Sequence, residues 1–203
     1  MDYEKIGRLI LQLRKEKGLT QQQIAEQLCV SNKTISKWEC GLGCPDLSLW
    51  KQLSSILGAD ILKLMQGELT PNPPDAGKIE RVRFLVCPLC GNILTCTGNA
   101  SVSCCGRPLN PCSPSACDDE HLPVIEPSDL EHYITLHHPM RKDHYISFAA
   151  WVCNDRLSFV RLYPEQSPAF RLPLTGRGGS LYLYCTNHGL FQAVIRNKPG
   201  SIV

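Results

Sequence analysis

The sequence lacks long apolar runs and an excess of charge of either sign. Its 203 residues include 21 Lys and Arg and 19 Asp and Glu, a net charge of +2, which excludes a polybasic tail as the main functional element. The longest apolar run, Ile146 to Cys153 interrupted by Ser147, is far shorter than the roughly 20 residues of a membrane-spanning helix. Met1 to Lys5 contain two acids where a secretory signal would be basic. We therefore expect a cytoplasmic protein with no membrane partner.

Histidine is missing from the first 120 residues, and all six histidines follow. Cysteine, by contrast, is abundant: there are 12, and seven of them fall within residues 87–117. In a reducing cytosol disulfides are scarce, so such a density of thiols indicates metal binding or redox chemistry. The two halves of the chain are therefore expected to have different functions.

Residues 1–66 are predicted to be helical. Apolar residues recur from Ile6 to Leu13 at the spacing of one helical face, in a helix that ends near Gly18. Residues that favour helix N-caps predict the starts of four more helices. These caps are Thr20, with Gln23 completing a capping box, Ser31, Asp46 and Asp60.

Residues 67–81 are rich in Pro and Gly and nearly devoid of large apolar side chains, which is typical of a linker. After residue 82 the pattern changes to short runs of β-branched and aromatic residues, separated by Pro, Gly and Asn. Such spacing favours a β-sandwich or barrel. The predicted strands are Val82–Val86, Tyr133–Leu136, His144–Val152, Leu157–Leu162, Leu181–Tyr184 and Leu190–Ile195.

The segment from Thr20 to Glu39 reads as a short helix, a tight turn and a second helix. The second helix carries polar residues on one side, where lysine can contact guanine edges or phosphates and asparagine can contact adenine. The start of the preceding helix, around Gln21, suits a phosphate. The predicted DNA contacts are Gln21, Ser31, Asn32, Lys33, Thr34, Ser36 and Lys37.

This segment, followed by Trp38-Glu39-x-Gly41 and Pro45-Asp46, resembles the phage-repressor (XRE) helix-turn-helix family over residues 3–66. The resemblance implies five helices, a recognition helix at about 31–39, and a homodimer on two half-sites of a double-stranded DNA operator. The alternative is a helical bundle that binds protein or nothing. With 9 basic and 7 acidic residues in 1–66, charge does not decide between them.

A cluster of cysteines begins with the pair Cys87-Pro-Leu-Cys90, and the adjacent pair Cys104-Cys105 follows 14 positions later. Two residues between thiolates let one loop hold a single metal ion, and four thiolates form a soft tetrahedral site. Iron and zinc both accept these ligands. A structural zinc ribbon is therefore the alternative to a redox centre.

The order of these cysteines, within Cys87–Asn92 and Cys104–Pro108, resembles the rubredoxin-like centre of desulfoferrodoxins. The resemblance implies one iron that changes oxidation state, with zinc as the alternative ion. Cys96, Cys112 and Cys117 have no place in that pattern and are interpreted as ordinary thiols.

Four histidines and one cysteine in the last third form a second set: His121, His138, His144, Cys185 and His188. A single histidine is more often a surface or satisfied core residue than a ligand. Together, four imidazoles and a thiolate suit ferrous iron in a square-pyramidal site with one open position.

This set resembles the catalytic centre of superoxide reductases (desulfoferrodoxin and neelaredoxin) over residues 118–192. The motifs are His121-x-Pro-Val-Ile-Glu126, His138-Pro-Met140, His144-Tyr-Ile146 and Cys185-x-x-His188-Gly189. The resemblance implies an immunoglobulin-like β-sandwich at 118–203 behind a rubredoxin-like module at 82–117. It also implies one-electron reduction of superoxide to hydrogen peroxide, with electrons from a donor protein such as a rubredoxin. His132 and His137 lie outside the motifs and are not expected to be ligands.

Two positions depart from that family, which has Glu-Lys before the first histidine ligand where this chain has Asp119-Glu120. Asp119 keeps the acidic side chain that serves as a sixth ligand after oxidation. Glu120 reverses the charge of the lysine that attracts the anion. Unit charges ~8 Å apart at an effective dielectric near 20 interact by about 2 kcal/mol, so this reversal is expected to slow superoxide capture several-fold or more. Arg141 and Lys142 are the nearest cations in sequence that can compensate.

The sequence therefore predicts a multidomain protein, an all-α helix-turn-helix domain followed by a small metal module and a β-sandwich. Three functions stay open. The first is a superoxide reductase carried on a DNA-binding module. The second is a transcriptional regulator whose iron centres sense redox conditions, and the third is a zinc-stabilised transcription factor without activity.

Overall fold

A computed structural model of the chain describes residues 2–74, 79–128, 131–173 and 178–195. It divides into two compact units, residues 1–71 and 72–203. The predicted linker at 67–81 spans this division, and its residues 75–78 lie outside the described part of the chain. Within the described ranges, every helix is too short or too polar to cross a membrane.

The N-terminal unit consists of five α-helices, as predicted. Three of the four predicted caps are confirmed. Thr20 forms a complete capping box with Gln23, Ser31 accepts from the backbone N–H of Thr34, and Asp60 accepts from two backbone N–H groups. The helices are α1 (Tyr3–Glu16), α2 (Gln21–Gln27), α3 (Asn32–Glu39), α4 (Trp50–Leu57) and α5 (Ile61–Gln66).

The prediction that Asp46 caps the fourth helix is wrong. A 3₁₀ turn at Leu47–Leu49 separates Asp46 from α4, and the Asp46 side chain makes no capping hydrogen bond. The N–H of Leu49 donates instead to the backbone carbonyl of Asp46, at 2.9 Å. The 3₁₀ turn thus gives this N–H group a backbone acceptor, in place of the carboxylate oxygen that a capping aspartate would provide.

The five helices enclose one apolar core that includes Ile10, Ile35, Trp50 and Leu53. Helix α1 lies unusually close to the end of α3. A Cβ atom on Gly7 would stand 2.2 Å from the carbonyl oxygen of Trp38. This approach requires glycine in the middle of α1, and it fixes α3 against the core.

The described residues of the C-terminal unit contain twelve strands. They are β1 (Arg83–Val86), β2 (Ile93–Cys96), β3 (Val102–Cys104), β4 (Arg107–Leu109), β5 (Ser115–Ala116), β6 (Pro123–Ser128), β7 (Glu131–Leu136), β8 (Ile146–Cys153), β9 (Arg156–Arg161), β10 (Ala169–Leu172), β11 (Gly179–Cys185) and β12 (Gly189–Ile195). Strands β2 to β6 and β10 were not predicted. Pro123 and Pro127 obscured β6, and it tolerates them because it is the edge strand of its sheet.

Two sheets form a β-sandwich, which confirms the predicted architecture. The first has the strand order β10-β7-β6 and the second the order β5-β12-β11-β8-β9. Ile134 and Phe170 from the first sheet pack with Trp151 and Leu183 from the second in one core. This core holds the two sheets face to face.

Strand β8 is buried along its whole length because both of its faces are covered. Alternate residues face the sandwich core, and the others, including Phe148 and Val152, pack against a second apolar cluster with Phe84 of β1. The Phe84 ring lies 5.3 Å from that of Phe148 and 5.2 Å from that of Tyr182. The hairpin β1–β2 therefore packs on the outer face of the five-stranded sheet.

Candidate metal centres and nucleic-acid interface

Helix α3 presents a polar face to solvent. Asn32, Lys33 and Lys37 are exposed, whereas Ile35 and Trp38 on the opposite side are buried in the core. The hydroxyls of Ser31 and Thr34 lie 2.8 Å apart and bond to each other. The three longer side chains are thus the ones free to reach a groove, with the half-buried Ser36 beside them.

The predicted phosphate contact at Gln21 has a different partner within the unit. Its side-chain amide donates to a carboxylate oxygen of Glu39 at 2.7 Å. Both oxygens of Glu39 also accept from the guanidinium of Arg14, at 2.6 and 3.0 Å. The hydrogen bonding of Arg14 to Glu39 raises the pKa of the guanidinium. The network joins α1, α2 and α3. The sequence did not predict this network, because nothing around Glu39 in the sequence indicates that its side chain is buried.

Two hairpins bring the first four cysteines together. Cys87 and Cys90 lie in the turn between β1 and β2, closed by hydrogen bonds of 2.9 Å from Cys87 N to Asn92 O and from Gly91 N to Cys87 O. Cys104 ends β3, and Cys105 and Gly106 form the turn to β4 with φ of 50° and 74°, as in a type I′ turn. All four sulfurs lie within 4.8 Å of one another.

The pKa values of Cys87 and Cys105 are shifted in opposite directions. The backbone N–H groups of Cys90 and Leu89 lower the pKa of Cys87 to about 6. Hydrogen bonds with neighbouring thiols, Cys90 first, raise the pKa of Cys105 to about 12. Four sulfurs this close cannot all carry charge without a cation between them. The donor set fits zinc or iron in tetrahedral geometry.

Strand register places the second group of ligands at one end of the sandwich. Pro123 of β6 pairs with Leu136 of β7, so the turn with His121 and the segment with His138 leave the sheet side by side. In the other sheet Cys185 pairs with both Ile146 and Gly189. A register shift between Tyr184 and Cys185 interrupts the ladder there, a feature common beside functional sites.

The four imidazoles form a closed ring. Going round from His121 to His138, His144, His188 and back to His121, the distances between neighbouring ring centroids are 4.9, 4.6, 4.8 and 5.3 Å. The sulfur of Cys185 lies 3.4 Å from His138 Nε2 and 3.7 Å from His188 Nδ1. One thiol thus lies against two members of the ring.

His144 belongs to this ring, although its ligand atoms lie outside the group of four that are mutually within 4.8 Å, which comprises His121, His138, Cys185 and His188. Among the described residues its Nε2 is buried and has no hydrogen-bond partner. A buried nitrogen without a partner is costly unless it binds something. This orphaned atom and the mixed nitrogen and sulfur donors fit a transition-metal ion. His132 and His137 are also outside the group.

Burial shifts the pKa values of three of these ligands. It lowers the pKa of His138 to about 4 and also lowers the pKa of His144, so both imidazoles stay neutral and able to bind a metal near pH 7. Burial raises the pKa of the Cys185 thiol, which therefore needs a nearby cation to ionise. His188 is the exposed member of the set and marks its solvent side.

Acidic residues adjoin the first ligand, His121, in the sequence. Asp119 and Glu120 are exposed, and the charge of Glu120 acts on His138, His144 and Cys185. Of the two candidate compensating cations, Lys142 pairs with Glu165 at 3.6 Å. Arg141 and His144 close a short turn through two backbone hydrogen bonds, and the charge of Arg141 lowers the pKa of His144.

Asp118, which sequence reasoning passed over, contacts a ligand directly. Its Oδ1 lies 2.5 Å from His121 Nδ1. This hydrogen bond lowers the pKa of Asp118. Three consecutive acids precede His121 in the sequence, and sequence spacing alone does not show which of them meets the ring.

A helix-turn-helix family model matches residues 10–64. Over 57 residues the chain is 49% identical to the HTH-type transcriptional activator BcrR of Enterococcus faecalis, covering 28% of each protein. Residues 10–64 are thus a helix-turn-helix domain, as the sequence predicted.

The C-terminal unit has relatives of another kind. Over 83 residues the chain is 29% identical to desulfoferrodoxin of Clostridium acetobutylicum, covering 39% of this chain and 66% of that protein. The crystal structure of the superoxide reductase from Treponema pallidum aligns with a TM-score of 0.48 and 21% identity, over 55% of this chain and 95% of that one. The chain thus joins a helix-turn-helix domain to a homologue of desulfoferrodoxin, and it spans less than two thirds of each curated relative.

Proposed function

We propose that the protein is a cytoplasmic DNA-binding protein whose C-terminal unit is a non-haem iron superoxide reductase. The observation that carries this proposal is the closed ring of four imidazoles with the Cys185 thiol against it. Homology to desulfoferrodoxin supports the choice of iron as the metal.

The residues of the site would hold the metal and control access to it. When bound, ferrous iron supplies one electron to superoxide, and two protons complete hydrogen peroxide. His121, His138 and His144, each at most 7% exposed, provide neutral nitrogen donors in a dry setting, and Cys185 provides the anionic donor. The exposed edge at His188 leaves an approach for a small anion and for protons from solvent.

The four-cysteine group would be a second centre. With iron it would accept electrons from a donor protein such as a rubredoxin, and with zinc it would only stabilise the two hairpins. One member of each pair, Cys90 and Cys105, is exposed, whereas Cys87 is buried. This exposure suits contact with an electron-donor protein.

The helix-turn-helix domain would bind a double-stranded DNA operator as a homodimer. The family match and the exposed Asn32, Lys33 and Lys37 support this. We expect Asn32→Ala and Lys37→Ala each to weaken operator binding by about 1–3 kcal/mol. Lys51→Ala, an exposed lysine on α4, is the matched control. Equal binding by all three variants would show that α3 is not the recognition helix.

The enzymatic proposal is tested with protein purified anaerobically, assayed for iron and zinc, and exposed to a controlled flux of superoxide. A reductase yields one peroxide per superoxide, whereas a dismutase yields one per two. We expect Cys185→Ser to lose the reaction and Cys40→Ser, an exposed cysteine outside both groups, to keep it. Zinc alone in protein expressed with ample iron would instead favour a transcription factor without activity.

A redox-sensing regulator is the second candidate, and the position of Glu120 favours it. A carboxylate that acts on three ligands, where the family has a lysine, repels superoxide and slows its capture. Slow turnover suits a sensor better than a detoxifying enzyme. Operator affinity measured with fully reduced and fully oxidised protein decides the matter, since equal affinities would remove the sensor hypothesis.

A further inference from the structure

Of the three acids that precede His121, only Asp118 has a carboxylate that bonds to that residue within the described chain. Its Oδ1 accepts from the backbone N–H of His121 at 3.0 Å and lies 2.5 Å from the ring nitrogen Nδ1. Both bonds involve the same residue, so the turn and the ring are fixed together.

The other ring nitrogen of His121 points toward the remaining ligands. Its Nε2 lies 3.4 Å from His188 Nδ1, inside the group of candidate ligand atoms. The imidazole also stacks on Phe191, with centroids 3.8 Å apart and planes 13° from parallel. Since the ring is only 1% exposed, it has one orientation, with Nδ1 on the carboxylate and Nε2 toward the site.

From this arrangement we propose that Asp118 is a positioning residue for the metal centre. It keeps the proton of His121 on Nδ1, so that the lone pair of Nε2 is available to the metal, and its negative charge strengthens that nitrogen as a donor. The inference rests on the proposed function only in requiring that the histidine and cysteine group binds a metal. It does not depend on the reaction with superoxide.

The Asp118 carboxylate is not needed to neutralise a buried charge, so its effect on His121 can be tested separately. The Asp118 side chain is 60% exposed, so water would solvate it well without the histidine. A purely structural role, capping the turn through the backbone N–H of His121, needs an acceptor oxygen but no charge. Asparagine retains the oxygen and removes the charge, and alanine removes both.

The test uses the full chain with one equivalent of zinc, which fills the four-thiolate site, followed by titration with cobalt(II). The thiolate-to-cobalt absorption band, assigned by its loss in Cys185→Ser, reports binding at the histidine site. We expect Asp118→Ala to raise the dissociation constant for cobalt about 10–100-fold. We expect a smaller, several-fold rise for Asp118→Asn, because a charge-assisted hydrogen bond is roughly twice as strong as a neutral one.

A second measurement separates positioning from folding. Nitrogen-15 NMR of the protein before cobalt addition reports which nitrogen of His121 carries the proton. We expect Nδ1–H in the unsubstituted protein and a shift toward Nε2–H in Asp118→Ala. Asp155→Asn, in the turn between β8 and β9, is the control for loss of a carboxylate and should match the unsubstituted protein in both measurements.

Cobalt affinity and tautomer unchanged in Asp118→Ala would overturn the inference. If that variant does not fold, Asp118→Asn decides, since affinity equal to that of the unsubstituted protein leaves Asp118 with a turn-capping role alone. Failure of the unsubstituted protein to bind cobalt at the histidine site would instead overturn the proposed function, and the inference with it.

Discussion

At the scale of single residues, several positions are determined by what lies a few ångströms away rather than by their own properties. Gly7 is an example, because no helix propensity favours glycine there. It is required by the carbonyl of Trp38, which leaves no room for a methyl group.

We expect Gly7→Ala to destabilise the helical unit by about 1–3 kcal/mol, the usual cost of forcing an extra carbon into a packed interface. Denaturant unfolding followed by circular dichroism at 222 nm measures this, since all the α-helices among the described residues are in that unit. Arg8→Ala, an exposed neighbour on α1, is the control. Equal stability of the two variants would mean that α1 and α3 can separate without cost.

At the scale of elements, helix starts were predicted well, because the capping chemistry is local. Thr20, Ser31 and Asp60 each needed only a donor within a few residues. The prediction for Asp46 was wrong because it used only this local chemistry. A 3₁₀ turn follows Asp46, and its presence depends on how the next leucines pack, which the identity of the cap residue does not reveal.

The two positions Thr20 and Asp46 should therefore respond differently to substitution. We expect Thr20→Ala to cost about 1 kcal/mol, the typical value of an N-cap hydrogen bond. Asp46→Ala should cost far less, because its carboxylate makes no capping bond. Thermal melts of the two variants, compared with the unsubstituted chain, test this ranking, and a larger effect at Asp46 would contradict it.

The hairpin β1–β2 offers a second prediction at this scale. Its attachment to the five-stranded sheet depends on Phe84, which is 1% exposed. We expect Phe84→Ala to cost about 3–5 kcal/mol and to loosen metal binding at Cys87 and Cys90. Zinc release to a chromogenic chelator measures the second effect. Phe159→Ala, at a ring 41% exposed on β9, is the control and should release zinc at the original rate.

At the scale of the whole molecule, the sequence predicted the kinds of fold, and which candidate ligand residues come together, better than the surroundings of those residues. Ligand motifs such as Cys185-x-x-His188 are local and readable. The contact of Asp118 with His121 and the burial of Glu39 depend on how distant strands or helices meet, so they became visible only in the structure. Strand β6 was missed because proline argues against a strand unless the edge position is known.

Each unit has a core of its own, and both candidate metal groups lie in the C-terminal unit. We therefore expect two unfolding transitions, of which only one responds to metal. Removing metal with a chelator should lower the melting temperature of the β-rich unit and leave the helical transition in place. Calorimetry of loaded and stripped protein measures this. A parallel shift of both transitions would show that the units unfold together.

The ligands of the two groups are distributed along the chain in different ways. The four cysteines lie between residues 87 and 105, whereas the histidine group extends from residue 121 to residue 188 and closes in the hairpin between β11 and β12. During synthesis on the ribosome, the first group can therefore capture an ion while most of the sandwich is still untranslated. The second is incomplete until the hairpin between β11 and β12 has emerged, so at limiting metal supply chains would accumulate that carry the first ion and lack the second.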